Sequence, residues 1–317
     1  MRAGGIPCRR KMSRRILFAL ILLLLAALAL PNARALYEGV FFYLRDVVTY
    51  DPRAVTAVSR AGRYASVYDL VLLRNTERRA YILQRASRLA VFEIPLSNSQ
   101  LSNIFVRFDA PGPYTVLSAH YDKLYDNADY QGASDNTAAV SVLLAAMDES
   151  ARRGDANNRA FLFTGEEETG LRGAQAFVEY ARANNISIRA IVNFDNIGRG
   201  KLAIRPSAER YGFVFTLPLF GDFVFDGRAL NASPAYPLAN ARLTQALVRA
   251  QPGIVVYEHF TALSDSYVFQ ANGIDTVSIS GDSMYYLELT LHNNSDRVEL
   301  LDEANLDLAF DLILKAK

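Results

Sequence analysis

From residue 103 to the C terminus the chain alternates short apolar runs with longer amphipathic ones, and this alternation limits the fold more than any other feature. Strand-like runs cover 103–108, 114–119, 160–164, 190–194, 253–257 and 276–280. Helix-like periods cover 136–153, 171–184, 238–250 and 302–314. Strands separated by helices of this length favour parallel pairing, because each return crossing must cover a sheet face. The expected fold is therefore α/β: a single mixed, largely parallel central sheet with helices on both faces. No internal repeat and no linker rich in Gly, Ser or Pro divides residues 36–317, which are expected to form one domain. Within it, residues 36–100 show helix-like stretches at 37–48 and 54–73 and are expected to be a helical extension packed on the core.

Three strand-like runs end in polar clusters: His120-Tyr121-Asp122, Glu166-Glu167-Glu168 and Asp195. Asp135 opens a helix. In open α/β sheets, ligands bind beyond the carboxyl ends of the strands, so clusters as far apart in sequence as His120 and Asp195 are expected to meet there. Each cluster alone has an ordinary explanation. Asp135 is placed to cap a helix, and a loop histidine such as His292 is usually just solvated. Three adjacent carboxylates repel one another unless a cation joins them. Two imidazoles with several carboxylates suit borderline divalent ions, zinc first.

The first 35 residues are a separate object. Arg2, Arg9, Arg10, Lys11, Arg14 and Arg15 form a basic head, residues 16–30 are uninterrupted apolar sequence, and Ala33-Arg34-Ala35 matches a small-x-small cleavage pattern. A run this short falls below the roughly 20 residues needed to span a bilayer. It is expected to be a signal peptide, or otherwise a membrane anchor, giving an exported (periplasmic or secreted) protein or a membrane-anchored one with the domain that follows outside the cytoplasm. Without it, 27 basic residues face 33 acidic ones, which argues against nucleic acid as a partner. A membrane would be met only through this segment. The single cysteine, Cys8, lies in the basic head, so neither disulfides nor thiolate ligands are expected beyond it.

Five motifs in order carry a resemblance: Ala-His-Tyr-Asp, Gly-Ala-Ser-Asp-Asn-Thr, Gly-Glu-Glu-Glu-Thr-Gly-Leu-Arg-Gly-Ala, Asn-Phe-Asp-Asn-Ile-Gly and His-Asn-Asn-Ser-Asp. Together they resemble the co-catalytic zinc aminopeptidases, a family that also includes glutamate carboxypeptidases and glutaminyl cyclases. The resemblance implies two zinc ions, one held by His120, Asp135 and Asp195 and the other by Asp135, Glu168 and His292. It implies Glu167 as general base, Asp122 as the carboxylate behind His120, and a cis peptide between Asp135 and Asn136. Shifting the glutamate register by one would instead give these roles to Glu166 and Glu167. Ser264-Asp265-Ser266-Tyr267 resembles a Ser-Asp-His segment near the family's substrate pocket, with Ser266 where the family has histidine. Asp265 and Tyr267 thereby become pocket candidates, as does His259 at a strand end. The expected activity is hydrolysis of peptides by a zinc-activated water, as an aminopeptidase. Carboxypeptidase action, glutaminyl cyclase-like transamidation, dinuclear phosphoester hydrolysis and a non-catalytic binding role are the alternatives.

Overall fold

The computed structural model describes residues 14–108, 112–154, 158–207, 212–217, 221–225, 230–232, 240–261 and 263–315. The basic head through Met12, Cys8 included, and the expected helix start at Leu238 lie outside the described residues. The chain opens with helix α1 (Arg14–Ala29), α2 (Ala33–Leu36), a wider π turn over Tyr37–Phe42 and α3 (Tyr43–Thr49). Short α4 (Ser66–Leu70) and α5 (Asn75–Ala86) follow, then strands β1 (Ala90–Pro95), β2 (Ser102–Arg107) and β3 (Tyr114–His120). Next come α6 (Ala138–Arg153), β4 (Arg159–Thr164), α7 (Arg172–Ala183), β5 (Ile188–Phe194) and β6 (Leu202–Arg205). The remaining elements are β7 (Gly212–Leu217), β8 (Gly221–Phe225), β9 (Leu230–Ala232), α8 (Ala241–Ala250), β10 (Val255–Val256), β11 (Phe260–Thr261), α9 (Asp265–Ala271), β12 (Thr276–Gly281), α10 (Met284–Thr290) and α11 (Glu303–Lys315). Among the described residues no helix is long and apolar enough to cross a membrane.

The central sheet has eight strands in the order β1-β2-β4-β3-β5-β12-β6-β10. Strands β4, β3, β5 and β12 run parallel, while β1, β2 and β6 pair antiparallel at its flanks. This is the mixed, largely parallel sheet expected from the sequence. Both faces are covered because its strands are apolar on both sides. Val116 and Leu162 meet Phe177 of α7 and Phe269 of α9 on one face, while Leu117 and Phe163 meet α4, α5, α6, α8 and α11 on the other.

Two features depart from the sequence reading. The stretch at 36–100 contains an edge strand, β1, besides its helices. The alternation in Ala-Val-Phe-Glu-Ile-Pro is strand-like, and the proline closes it where an edge strand tolerates a missing N–H. A second, four-stranded antiparallel sheet in the order β11-β7-β8-β9 also stands beside the central one. Its strands Gly-Phe-Val-Phe-Thr-Leu and Gly-Asp-Phe-Val-Phe are rich in aromatic and β-branched residues, a signal the sequence reading left uninterpreted.

Candidate metal centre

The order β4-β3-β5 creates the crevice. From β3 the chain passes through α6 to β4 on one side, then through α7 on the opposite sheet face to β5 on the other side. Diverging connections leave an opening above the end of the central strand. His120 is the last residue of β3, the three glutamates follow β4, and Asp195 follows β5.

Two clusters form there and share one residue. His120, Asp135 and Asp195 make the first and Asp135, Glu168 and His292 the second, each with ligand atoms within 4.8 Å of one another. His120 Nε2 lies 3.1 Å from Asp135 Oδ1 and 3.6 Å from Asp195 Oδ1. His292 Nε2 lies 3.4 Å from Asp135 Oδ2 and 3.2 Å from Glu168 Oε2. Two atoms each about 2.0–2.1 Å from one tetrahedral zinc are about 3.3 Å apart, so these spacings fit an ion in each cluster. Glu168 Oε1 is buried without a hydrogen-bond partner, which also fits a site built to take a cation.

The supporting contacts fix the donors. Asp122 is buried behind His120, with its backbone oxygen 3.2 Å and its Oδ1 3.5 Å from Nδ1. A proton on Nδ1 can be donated there, leaving Nε2 free as a ligand. The Asp122 carboxylate also accepts from the backbone amides of Glu167 and Glu168, both at 3.2 Å, and so ties the histidine to the glutamate loop. The Asp135–Asn136 peptide is cis, and Asn136 Nδ2 donates to Phe194 O at 2.8 Å.

The three glutamates take different environments. Glu166 adopts a left-handed backbone (φ 57°) and pairs with Arg172. Glu167 and Glu168 line a cavity of about 340 Å³ that also includes Asp135, Asp195 and His292. Burial, with Asp195, Asp265 and Glu168 nearby, pushes Glu167 well above the usual carboxylate range, against the pull of His120. Burial likewise lifts Glu168 to about 7. Burial alone would lower His120, but Glu167 and hydrogen bonds to Asp122, Asp135 and Asp195 raise it. Hydrogen bonds to Asp135 and Glu168 raise His292 to about 10.

With this geometry in place, sequence comparison gives the family. A profile of Peptidase family M28 matches residues 103–317. The chain belongs to peptidase family M28. Residues 103–317 thus form a domain of this co-catalytic zinc peptidase family. LapB from Legionella pneumophila shares the M28 fold (TM-score 0.62, 17% identity, 96% of this chain and 81% of that one). So does the glutaminyl cyclase of Porphyromonas gingivalis (TM-score 0.57, 16% identity, 81% of this chain and 97% of that one). In sequence, the chain is 33% identical over 99 residues to a vacuolar membrane protease of Yarrowia lipolytica, which covers 31% of this chain. It spans about a tenth of the length of the curated relatives it matches.

The pocket candidates of the M28 domain lie elsewhere than the cavity wall. Asp265 is buried and accepts from Thr164 Oγ1 at 2.5 Å. Tyr267 packs with the Phe105 and Phe177 cluster, and the His259 backbone amide donates to Glu38 Oε2 at 2.8 Å. None of the three lines the cavity, whose apolar side is formed by Leu171, Leu263, Leu287 and Leu291.

Three residues without an expected role frame the centre. Asp296 is buried and accepts from the Ser134 and Asp135 amides at 2.7 and 3.0 Å. Burial pushes its carboxyl up to about 7, while those two amides and Arg78 draw it back toward the charged form. Arg78 of α5 is 1% exposed and donates to Leu70 O, Tyr121 O, Gln131 O and Thr137 Oγ1. Arg205, at the end of β6, lines the cavity. Only Asp296 left a sequence signal, since it closes the His292 motif.

Proposed function

We propose that the M28 domain is a dinuclear zinc exopeptidase that removes N-terminal residues from short peptides. The observation that carries this reading is the shared Asp135 carboxylate, one oxygen toward His120 and the other toward His292. His120, Asp135 and Asp195 would hold one zinc and Asp135, Glu168 and His292 the other, with Asp135 bridging. Bound zinc supplies Lewis acidity, polarising the scissile carbonyl and lowering the pKa of water from 15.7 toward about 7. Glu167 is the general base: its raised affinity for a proton suits it to take one from the attacking water and give it to the leaving amine. Glu166, engaged by Arg172, is outside this exchange, which favours the Glu167 and Glu168 register. Asp122 orients His120, and the nearby Asp265 carboxylate adds to the push that raises Glu167. The acidic cavity complements a substrate ammonium group, and its leucines suit an apolar side chain.

The partner of this site is a peptide; nucleic acid has no place in the reading. The domain is placed outside the cytoplasm, with membrane contact only through the N-terminal segment. Asn32 exchanges two hydrogen bonds with the Thr216 backbone, and Ala35 and Glu38 are buried, which favours a segment kept as an anchor over one cut off beside Ala35.

Metal analysis of purified protein should find two zinc ions per chain. A panel of aminoacyl amides, peptides with either terminus blocked and N-terminal glutamine peptides should show hydrolysis that requires a free α-amine. One zinc with pyroglutamate formation would overturn the proposal in favour of a cyclase.

A further inference from the structure

Arg205 is a buried cation with no carboxylate in contact: buried Asp282 feels its charge, but the Asp282 oxygens are taken by the Lys201 amide and Arg45. Arg205 is 1% exposed, with its guanidinium over the faces of Tyr257 and Phe260 at 4.4 and 4.5 Å. Its Nε donates to Ser280 Oγ at 2.5 Å and its Nη2 to Gly281 O at 2.8 Å, both neutral acceptors. Among the described residues no carboxylate pairs with it, and its Nη1 is buried with no hydrogen-bond partner. Directly opposite in the antiparallel register stands Ser278 of β12, whose Oγ is also buried and unpartnered. Arg205, Ser278 and Ser280 all line the cavity that holds Glu167, Glu168 and Asp195.

A buried charge with no carboxylate in contact and two idle polar atoms are costly in a folded core, and such groups normally have partners. Tyr257 and Phe260 offset part of that cost but leave Nη1 and Ser278 Oγ unmet. The natural complement is a small anionic acceptor arriving through the cavity. A planar carboxylate can accept from a guanidinium N–H and a serine hydroxyl at once. At about 340 Å³ the cavity is near the small end of the roughly 300–1,000 Å³ range for ligand sites, so the group must belong to a short substrate.

We propose that Arg205 and Ser278 form a carboxylate subsite, so that the preferred substrates are short peptides bearing a carboxylate within reach of the metal centre. The carboxylate is either the C terminus of a dipeptide or an acidic side chain. This inference rests on the peptidase reading for its substrate class, and its test is a binding measurement independent of turnover.

Zinc-loaded Glu167→Gln protein would be titrated calorimetrically with leucyl-leucine, leucyl-leucinamide, leucyl-glutamic acid α-amide and glutamyl-leucinamide. At least one carboxylate-bearing probe should bind about tenfold or more tighter than leucyl-leucinamide, equivalent to about 1.4 kcal/mol. Preference for leucyl-leucine identifies the C terminus, and preference for either glutamate probe identifies a side chain. Arg205→Lys and Ser278→Ala, each in the same background, should cut that preference at least threefold and leave leucyl-leucinamide binding unchanged. Ser278→Ala keeps the test valid if the arginine variant fails to fold, because its hydroxyl holds nothing in the fold. Equal binding of all four probes, or a preference that survives Ser278→Ala and any folded Arg205→Lys, would overturn the proposal. A carboxylate preference in protein whose wild-type form hydrolyses none of the probes would leave the subsite standing and refute the aminopeptidase reading alone.

Discussion

Asp296→Asn should weaken the metal centre through a residue that is not among its proposed ligands. Asp296 joins the loop carrying His292 to the turn carrying Asp135, with Oδ1 on the Ser134 amide and Oδ2 on the Asp135 amide. Asparagine keeps the shape but offers one acceptor and one NH2 group, so one of the two buried amides must face a donor. A hydrogen bond to a charged group contributes about 1.5–3 kcal/mol, and an orphaned buried donor costs about 1–3 kcal/mol. Burial opposes the Asp296 charge, so removing it returns part of this loss, and about 2 kcal/mol of net destabilisation is expected. Because Asp135 belongs to both clusters, zinc affinity should fall by the roughly 10–100-fold typical of supporting contacts behind metal ligands. Urea unfolding with and without zinc, and competition against a chelator, would measure the two effects separately. Ser295→Ala, at an exposed neighbour, should change stability by no more than about 0.5 kcal/mol. Wild-type zinc affinity in folded Asp296→Asn would refute the reasoning, even if stability fell as expected.

The glutamate assignment predicts that Glu167→Gln abolishes turnover while zinc stays bound, whereas Glu166→Gln retains most activity; the reverse outcome in paired kinetic and metal assays would exchange the roles. Arg78→Met should cost more than about 3 kcal/mol in urea unfolding, because it removes four hydrogen bonds at once, to Leu70 O, Tyr121 O, Gln131 O and Thr137 Oγ1. Burial, followed by the charge of Arg78, lowers Lys123 to about 8, so the folded state disfavours its charged form. Between pH 8 and about 10.5 the unfolded chain therefore binds more protons than the folded one, and stability from this group rises with pH. The stability difference between wild type and Lys123→Met should grow across that window, and a flat difference would contradict the assignment.

Residues that bear chemistry at strand ends were legible because their environment is local. An apolar run followed by His120 or Asp195 marks both the strand and the edge where it stops. The same rule could not separate Glu166 from Glu167, because three identical side chains are told apart by a left-handed backbone at Glu166 and by Arg172, the first residue of α7, which pairs with it. Nor could it rank Asp265, which is drawn inward by Thr164 although its neighbours in sequence read like pocket residues. The N-terminal stretch hid β1 for a different reason: it is a six-residue edge strand with one partner, and its place in the sheet comes from pairing with β2.

Arg78 and Arg205 show why the remainder was not legible. Both are buried arginines, the residue type a sequence reading assigns to the surface, and each is held by acceptors distant along the chain. Arg78 meets backbone oxygens up to 53 residues away, and Arg205 meets the backbone of β12, 76 residues away. Their functions nevertheless differ in a way only the hydrogen-bond inventory exposes. Arg78 donates from all three nitrogens and so is spent on the fold, holding the loops that present His120 and Asp135. Arg205 donates from two and keeps Nη1 without a partner in the wall of the cavity that holds Glu167 and Glu168. Replacing Arg78 should therefore lower stability and zinc affinity together, whereas Arg205→Lys should leave zinc affinity unchanged and alter the selection of substrates.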